Sequence, residues 1–135
     1  MEGRQDFLGS GWKFPPQLDV RGRIALAHQE EDIDEAIRVI LMTRKGERPF
    51  RPEFGSDLHQ VAFAPNNVGT AGLASRYVRE ALVRWEPRIE VLDVSSEPDI
   101  NQPARLMISI RYRPIDRNSE RNLVFPFYTI PGEED

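Results

Sequence analysis

The first clearly periodic stretch of the chain predicts an amphipathic helix that begins at Asp32. Glu35 follows three residues later in capping-box spacing, which favours a helix start at this point. Arg44 and Lys45 suit the last turn, where positive charge complements the helix dipole, and Gly46 is a natural left-handed stop. Between these ends, apolar residues recur every three or four positions and predict one buried stripe, which comprises Ile33, Ala36, Ile37, Ile40 and Leu41.

A second, longer helix is predicted to start near Thr70 and to end before Pro87, because proline disfavours helical backbone in the residue before it. Its apolar residues form a broad face that comprises Leu73, Tyr77, Val78, Ala81, Leu82 and Trp85. Outside this face, Glu80 and Arg84 have the spacing of an ion pair on one helix surface. Between the two helices, residues 57–63 are predicted to form one short helical turn.

The last third of the chain changes to a period of two, which predicts strands. Residues 89–94 form a first apolar run. Two alternating strands follow, and their apolar faces comprise Leu106, Ile108, Ile110, Tyr112, Leu123, Phe125 and Phe127. Pro126 lies inside the last strand and cannot donate a ladder hydrogen bond, which favours a position at a sheet edge. A weaker alternation at Ile24, Leu26 and His28 also predicts a strand.

Together these elements predict an α+β domain in which two main helices pack on a small, mostly antiparallel sheet. The chain length suits one domain, which we expect to span residues 24–131. Residues 1–23 include a stretch rich in glycine and proline around Trp12 and Phe14, and are expected to form an extended N-terminal arm. The two aromatic side chains would anchor this arm either on the domain's own core or on a partner. Residues 132–135 would form a short acidic tail.

Composition narrows the range of functions. The net charge is -4 and acidic and basic residues are interleaved, so no basic patch favours nucleic acid. The chain has no cysteine, which excludes disulfides and thiolate metal sites and suits assembly in a reducing cytosol. No apolar stretch approaches the length of a membrane span or of a secretory signal, so we expect neither membrane insertion nor export by a signal of its own.

Catalytic chemistry finds little support in the sequence. His28 and His59 stand alone and no spacing typical of metal ligands occurs, so no metal, cofactor or catalytic residue is predicted. Glycoside hydrolysis would need two carboxylates that face each other across a cleft. Glu53 and Glu86 are the candidates, because apolar and aromatic residues flank both. Carboxylates in such settings are more often ion-paired parts of the structure, which disfavours the hydrolase.

Two clusters of large polar residues need another explanation. The first lies in an irregular stretch and comprises Gly46, Glu47, Arg48, Arg51, Pro52, Glu53, Phe54 and Gly55. It is either a self-packed loop in which Arg51 and Glu53 satisfy backbone groups, or a support for an interface. The second cluster, Glu86, Pro87 and Arg88, is either a simple helix-to-strand junction or a turn that binds a partner through its charges.

These clusters, in this order, make the chain resemble the baseplate wedge family of contractile phage tails, type VI secretion systems and extracellular contractile injection systems. Members of this family were historically described as lysozyme-like. The Glu-Pro-Arg triplet after an amphipathic helix is the family's hallmark, and here it stands at Glu86, Pro87 and Arg88. The matching segments are 11–15, 22–24, 37–41, 46–48, 51–55 and 85–89.

The resemblance implies a structural subunit of a six-fold baseplate, assembled in the cytoplasm and carried by a phage tail-like particle that can be released from the cell. It implies larger baseplate wedge proteins, sheath subunits and other inner baseplate or hub proteins as partners. Glu86, Pro87 and Arg88 would hold the wedge core. The strands that contain residues 106–112 and 123–127 would give the first sheath ring a template.

The predicted sheet edge supports the same role from the residues alone. An edge strand has unpaired backbone groups, and addition of a strand from another chain is a common mode of recognition. Pro126 could instead serve to block such pairing. The resemblance favours pairing, which would then use the residues beside Pro126 or the other edge of the strand. A peptidoglycan hydrolase and a peptide-binding adaptor outside any particle remain the alternatives to the structural subunit.

Overall fold

The computed structural model describes residues 20–130, and its strands form one antiparallel sheet in the order β1-β2-β3. The predicted α+β class, with two main helices packed on an antiparallel sheet, is confirmed. In chain order the elements are α1 (Val20–Met42), a 3-10 helix (Leu58–Val61), α2 (Val68–Trp85), β1 (Ile89–Pro98), β2 (Arg105–Pro114) and β3 (Arg121–Tyr128).

One face of the sheet is apolar and packs on the helices. In β2 and β3 every second side chain is buried, and opposite residues meet across the strands, as Ile108 does with Phe125 and Ile110 with Leu123. Helix α2 packs against β1, and its buried Ala74 keeps the helix close to its neighbours. Helix α1 adds a stripe at Ile33, Ile37, Ile40 and Leu41. The predicted apolar faces therefore form a single core.

Helix α1 begins at Val20, well before the predicted start at Asp32. The strand predicted at Ile24, Leu26 and His28 is wrong, and Asp32 is an interior helix residue instead of a cap. The alternation was misleading because alanines, which are strong helix formers, lie between those three residues. Contacts between this helix and distant parts of the chain then fix the extension in place.

A polar cluster ties α1 to the hairpin of β2 and β3. The Tyr112 hydroxyl donates to Asp34 Oδ1 at 2.5 Å, and Arg121 donates to Asp34 Oδ2 and to Glu30 Oε1, both at 3.2 Å. Arg117, in the turn between the strands, donates to Glu30 Oε2 at 3.1 Å. Burial, followed by the hydrogen bond to Asp34, raises the pKa of Tyr112 to about 12. The cluster therefore fixes α1 against the end of the sheet.

At the end of α1, the N–H of Thr43 donates a last helical bond to the Val39 carbonyl at 3.0 Å, and the Thr43 hydroxyl donates to the same carbonyl at 2.6 Å. The helix stops at Met42, before the two basic residues that were assigned to its last turn. Gly46 has a φ of +89°, the left-handed conformation that was predicted for it.

Helix α2 begins at Val68, two residues before its predicted start. The Asn67 side chain caps it by accepting a hydrogen bond from the Thr70 N–H at 3.0 Å. The short turn predicted for residues 57–63 is a 3-10 helix over Leu58–Val61. These elements position the loop of residues 46–55 at the C-terminal end of α2.

Candidate docking surfaces

The Glu-Pro-Arg turn lies directly after α2 and its charges face each other. The Glu86 N–H donates to the Leu82 carbonyl at 3.0 Å, and the Glu86 side chain is only 4% exposed. Its Oε1 accepts from the N–H (3.1 Å) and Nε (2.9 Å) of Arg88, and its Oε2 accepts from Nη2 at 2.9 Å. Helix α2 ends at Trp85, before Pro87, as predicted. The turn therefore contains a two-armed ion pair.

Only one charged group of this turn faces outward. The Arg88 side chain is 44% exposed, and its Nη1 has no hydrogen-bond partner among residues 20–130. The hydrogen bond that Arg88 donates to Glu86, with a smaller contribution from the charge of Asp32 on α1, raises the pKa of Arg88. Glu86 was expected to contact a partner itself, but its carboxylate is committed to Arg88. The guanidinium is the group that remains available.

The loop of residues 46–55 is self-packed through its backbone. The Gly46 N–H donates to the Pro52 carbonyl at 2.6 Å and closes the loop near its ends. Gly55 is buried against Thr43 with a φ of +121°, and a Cβ at this position would lie 2.3 Å from the Thr43 carbonyl oxygen. Both the backbone conformation and the space therefore require glycine at position 55.

Arginine and aromatic side chains of this loop stack on the end of α2. Phe54 meets Trp85 edge to face, with ring centroids 5.2 Å apart. Arg51 and Arg84 lie over the Trp85 ring, 5.0 and 4.8 Å from its centroid. Arg48 lies over Phe54 at 4.7 Å. Since Trp85 immediately precedes the Glu-Pro-Arg turn, the stack joins the two predicted clusters into one surface.

Two side-chain roles expected near this loop are wrong. The Arg51 guanidinium stacks on an aromatic ring and satisfies no backbone group among residues 20–130. Glu53 accepts a hydrogen bond from Arg84 Nη2 at 2.6 Å. Arg84 is therefore not paired with Glu80. The Glu80 Oε2 atom instead lies 3.8 Å from Arg76 Nε. The helical pairing rule failed here because a loop from elsewhere in the chain supplies a closer carboxylate.

The tip of the loop exposes an aromatic side chain that the sequence analysis did not single out as a site residue. Phe50 is 93% exposed. Arg48 and Arg51, on either side of it, have no ion pair within residues 20–130. A phenylalanine flanked by proline and two arginines in an irregular stretch was the available signal. The loop thus presents an apolar tip between two cations.

The strands predicted to bind sheath turn their apolar side chains into the core. All seven side chains named for this role are buried: Leu106, Ile108, Ile110, Tyr112, Leu123, Phe125 and Phe127. They stabilise the sheet and are not presented to a neighbour by the isolated chain. What β3 offers is the outer edge of its backbone, because it is the last strand of the sheet.

The hydrogen-bond register decides which backbone groups of β3 face outward. The Thr129 N–H donates to the Ala104 carbonyl at 2.7 Å, one step beyond the last pair of β2 and β3. Bonded pairs alternate in an antiparallel ladder, so Val124, Pro126 and Tyr128 direct their backbone groups away from β2. Pro126 lacks only an outward N–H and removes no bond between β3 and β2. Its predicted edge position is confirmed.

The opposite edge of the sheet is blunted. Strand β1 shifts its register between Val91 and Asp93, which marks a bulge. Carboxylates at Glu90, Asp93 and Glu97 line the strand, and Pro98 ends it. Charges, bulges and prolines are the usual means of preventing strand addition. Of the two sheet edges, β3 is therefore the open one.

Some predicted features lie outside the described residues. These are the anchor residues Trp12 and Phe14 and the acidic residues 132–135, whose roles stay predictions. Within residues 20–130, no three side chains of histidine, cysteine, aspartate or glutamate are grouped as metal ligands would be. In the same range, no helix has the length and apolar character that crossing a membrane requires.

A family profile and a curated protein are similar to this sequence. The sequence profile of the family described as baseplate wedge protein gp25 matches residues 27–119. Baseplate wedge protein gp25 of Enterobacteria phage T4 is 38% identical over 84 residues, which are 62% of this chain and 63% of that protein. The matched region thus spans less than two thirds of that curated relative.

Solved structures share the fold. A protein from Geobacter sulfurreducens, described as a tail lysozyme, is 48% identical with a TM-score of 0.70 over 76% of this chain and 92% of that chain. A chain of the anti-feeding prophage baseplate is 28% identical, with a TM-score of 0.58 over 62% of this chain and 67% of its own length. A chain of the type VI secretion baseplate complex, 20% identical, has a TM-score of 0.58 over 80% of this chain and 95% of its own. Because the family profile matches most of the sequence, this chain belongs to the gp25 family of baseplate wedge proteins.

Proposed function

We propose that this chain is a non-catalytic wedge subunit that joins the wedge core of a six-fold baseplate to the first sheath ring. The Glu-Pro-Arg turn and the loop beside it would bind a larger wedge protein, and the outer edge of β3 would bind a sheath subunit. Assembly would take place in the cytoplasm, with other inner baseplate or hub proteins as further partners. The observation that carries the proposal is the outward Arg88 guanidinium, held by a buried carboxylate.

The geometry of Arg88 suits recognition of an acceptor group. Glu86 fixes the guanidinium through Nε and Nη2, so little side-chain entropy remains to be lost on binding. Nη1 stays free among residues 20–130 and can donate to a carboxylate or carbonyl of another protein. Arginine and tryptophan are enriched at the centres of interfaces, and Trp85 lies next to this turn. These features support a contact with the wedge core.

The loop of residues 46–55 supports the same surface. Its exposed Phe50 fits an apolar recess, and Arg48 and Arg51 on either side fit acidic groups around that recess. The stack on Trp85 holds the loop against α2, so that the loop and the turn would meet a partner as one rigid unit. A wedge protein with an acidic rim around an apolar pocket would complement it.

The edge of β3 supports a second contact with different chemistry. Val124 and Tyr128 have outward N–H and carbonyl groups, whereas Pro126 can only accept. An extended segment of a sheath subunit could add to this edge as a fourth strand. The blunted β1 edge favours β3 as the site of addition.

The carboxylate geometry favours a structural role, although one similar protein bears the name of a lysozyme. Glycoside hydrolysis requires one carboxyl group that donates a proton and a second one across a cleft. Here Arg84 pairs with Glu53, and Arg88 pairs with Glu86. Each candidate carboxylate therefore faces an arginine and not the other carboxylate.

The proposal is tested by replacing Arg88 in the native host and imaging the particles. Arg88→Ala should leave the purified chain folded, as judged by circular dichroism, but stop baseplate assembly. Arg111→Ala is the matched control, because Arg111 is an exposed arginine paired with Glu120 on the open face of the sheet. Particles of normal appearance from the Arg88→Ala host would contradict the proposed role of this turn.

The non-catalytic part of the proposal has its own test. The purified chain should not clear a suspension of bacterial cell walls. Clearing that disappears in Glu86→Gln or Glu53→Gln, with the fold retained, would identify a hydrolase and overturn this part of the proposal.

A further inference from the structure

The open edge of β3 ends where a groove begins. By the alternation of the ladder, the Ile130 N–H lies on the same outward side as the backbone of Tyr128, and it donates to the Ala62 carbonyl at 2.6 Å. Ala62 therefore closes the edge just beyond β3. Ile130 also lines a groove of about 370 Å³ between the start of the loop and the 3-10 helix. A strand that adds along β3 would have to leave the edge after Tyr128, and would meet this groove.

One side of the groove is apolar and open. Phe63, in the turn after the 3-10 helix, is 75% exposed, and Ile130 is 48% exposed. Large apolar side chains that are this exposed in one concave surface are typical of a site that a partner covers. An apolar side chain of the incoming segment would remove both of them from water.

The other side of the groove has one cation without an acidic partner. Lys45 Nζ lies 2.9 Å from Asp57 Oδ2, which balances its charge. The Arg44 guanidinium has no ion pair among residues 20–130, and the nearby Glu47 carboxylate accepts from the Arg44 backbone N–H at 2.8 Å. Burial lowers the pKa of His59, and the charge of Arg44 lowers it further, by more than the charge of Glu47 raises it. The groove therefore has a positive potential that favours a carboxylate.

We propose that the groove binds the continuation of the sheath segment that adds to β3, and that this continuation carries an acidic and an apolar side chain. The inference rests on the strand addition proposed above and specifies the chemistry of the added segment. The carboxylate would pair with Arg44, and the apolar side chain would cover Phe63 and Ile130. Backbone pairing alone accepts almost any extended segment. The groove would therefore give this edge a selectivity for sequence.

A second copy of this chain is the rival occupant, and the edge itself disfavours it. Two copies would have to pair β3 with β3, because β1 is blunted. Pro126 removes an outward N–H from each strand of such a pair, so the loss of hydrogen bonds would be doubled. A segment of another protein without a proline at that position loses only the bond that Pro126 of this chain cannot donate.

Binding of the purified sheath subunit tests the proposal. Arg44→Glu and Phe63→Ser should each raise the Kd for the sheath subunit at least about tenfold, because they remove the cation and part of the apolar side. The matched controls are Arg79→Glu and Val83→Ser, which change an exposed arginine and an exposed valine on α2. Both controls should bind as the parent does. Circular dichroism checks that every variant is folded, and biolayer interferometry measures the Kd.

Val124→Pro distinguishes failure of the groove from failure of the edge. If Val124→Pro weakens binding and either groove variant binds as the parent does, the strand addition stands and the groove inference is overturned. Equal weakening in the control variants would overturn it too. If Val124→Pro leaves binding unchanged, or if the parent does not bind, the strand addition is wrong and the inference falls with it. Self-association of the parent that Arg44→Glu abolishes, measured by analytical ultracentrifugation, would identify a second copy as the occupant and overturn the proposal.

A charge exchange tests the acidic group directly. Hydrogen exchange of the complex identifies the sheath segment that becomes protected, and lysine then replaces each acidic residue of that segment in turn. One of these lysines should weaken binding to the parent and should strengthen binding to the Arg44→Glu chain at least about tenfold. A protected segment that has no acidic residue, or lysines that never strengthen binding to the Arg44→Glu chain, would overturn the proposal.

Discussion

The two surfaces through which we propose that this chain meets its neighbours present different kinds of atoms. At the C-terminal end of α2 the available groups are side chains: the Arg88 guanidinium and the arginines that stack around Trp85. On β3 the apolar side chains are turned inward, and the backbone of Val124 and Tyr128 remains. One surface thus offers charge, and the other offers a hydrogen-bonding edge.

The difference shows how one small domain could distinguish two partners by the chemistry of the surface that each one binds. A charged surface selects a partner with complementary charge, and its contacts weaken as salt screens them. A strand edge selects an extended segment and depends little on which side chains that segment carries. In the proposed role, the two partners would recognise different groups of atoms, so each contact could be disabled by a change that leaves the groups of the other contact intact.

The largest effect is expected at Gly55, which shapes the loop under the charged surface. Gly55→Ala should lower the free energy of unfolding by about 3 kcal/mol, since the new Cβ would lie 2.3 Å from the Thr43 carbonyl oxygen at a φ of +121°. Gly46→Ala is the matched change, with a φ of +89° and no atom within 4 Å of the new Cβ. It should lower the free energy of unfolding by only about 1 kcal/mol. Urea unfolding measures both, and equal losses would show that the contact with Thr43 is unimportant.

A smaller effect is expected from the carboxylate that orients Arg88. Glu86→Gln should lower the free energy of unfolding by about 2 kcal/mol, less than for a fully buried pair because Arg88 is half exposed. Glu53→Gln breaks the exposed pair with Arg84 and should lower it by less than about 1 kcal/mol. Thermal unfolding of both variants beside the parent distinguishes the two. A larger loss in Glu53→Gln would contradict the assignment of Glu86 as the internal anchor of the turn.

A proline placed in β3 distinguishes the binding role of its outer backbone edge from its role in the stability of the fold. Val124→Pro removes an outward N–H and no bond to β2, so the free energy of unfolding should change by no more than about 1 kcal/mol. Capture of the sheath subunit in a pull-down should fall at least about tenfold, which corresponds to 1.4 kcal/mol. Ser96→Pro is the counterpart on β1, where the N–H also points away from β2. Sheath capture that falls equally in both variants would place the contact elsewhere.

The smallest effect concerns the anchor of the hairpin on α1. The folded chain holds the Tyr112 proton to a higher pH than the unfolded chain does. The protonated Tyr112 side chain therefore contributes its full stabilisation of the fold below pH 10, and this contribution is lost as the pH rises from 10.0 to about 12. Tyr112→Phe removes the hydrogen bond to Asp34 and should lower the free energy of unfolding at neutral pH by about 1 kcal/mol. The same variant should show a weaker loss of stability across that alkaline range. Identical pH profiles of parent and variant would contradict the raised pKa.

Local pattern predicted much of the fold because period and steric restriction act within a few residues. The alternation in β2 and β3 identified the buried face, for example Ile108 opposite Phe125. Pro87 marked the end of α2, and Pro126 marked an edge strand, since a missing N–H is tolerated only where no ladder bond is required. Gly46 was recognised as a left-handed position for a similar steric reason.

Contacts between distant residues decided what the pattern missed. Helix α1 extends well before its predicted start, and ion pairs from Arg117 and Arg121 to Glu30 hold this extension against the hairpin. Arg84 pairs with Glu53 of the loop, where the helical spacing had suggested a partner four residues away. Neither contact has a signature in the spacing of neighbouring residues.

The sequence by itself determined the order of helices and strands, the apolar faces and the motifs that identify the family, because each depends on residues close together in the chain. The tertiary structure decided which atoms of those motifs face outward. It turned the Glu86 carboxylate inward, left the Arg88 guanidinium exposed, and buried the side chains of β3 while leaving its backbone edge open. Orientation of this kind depends on how distant segments pack against one another.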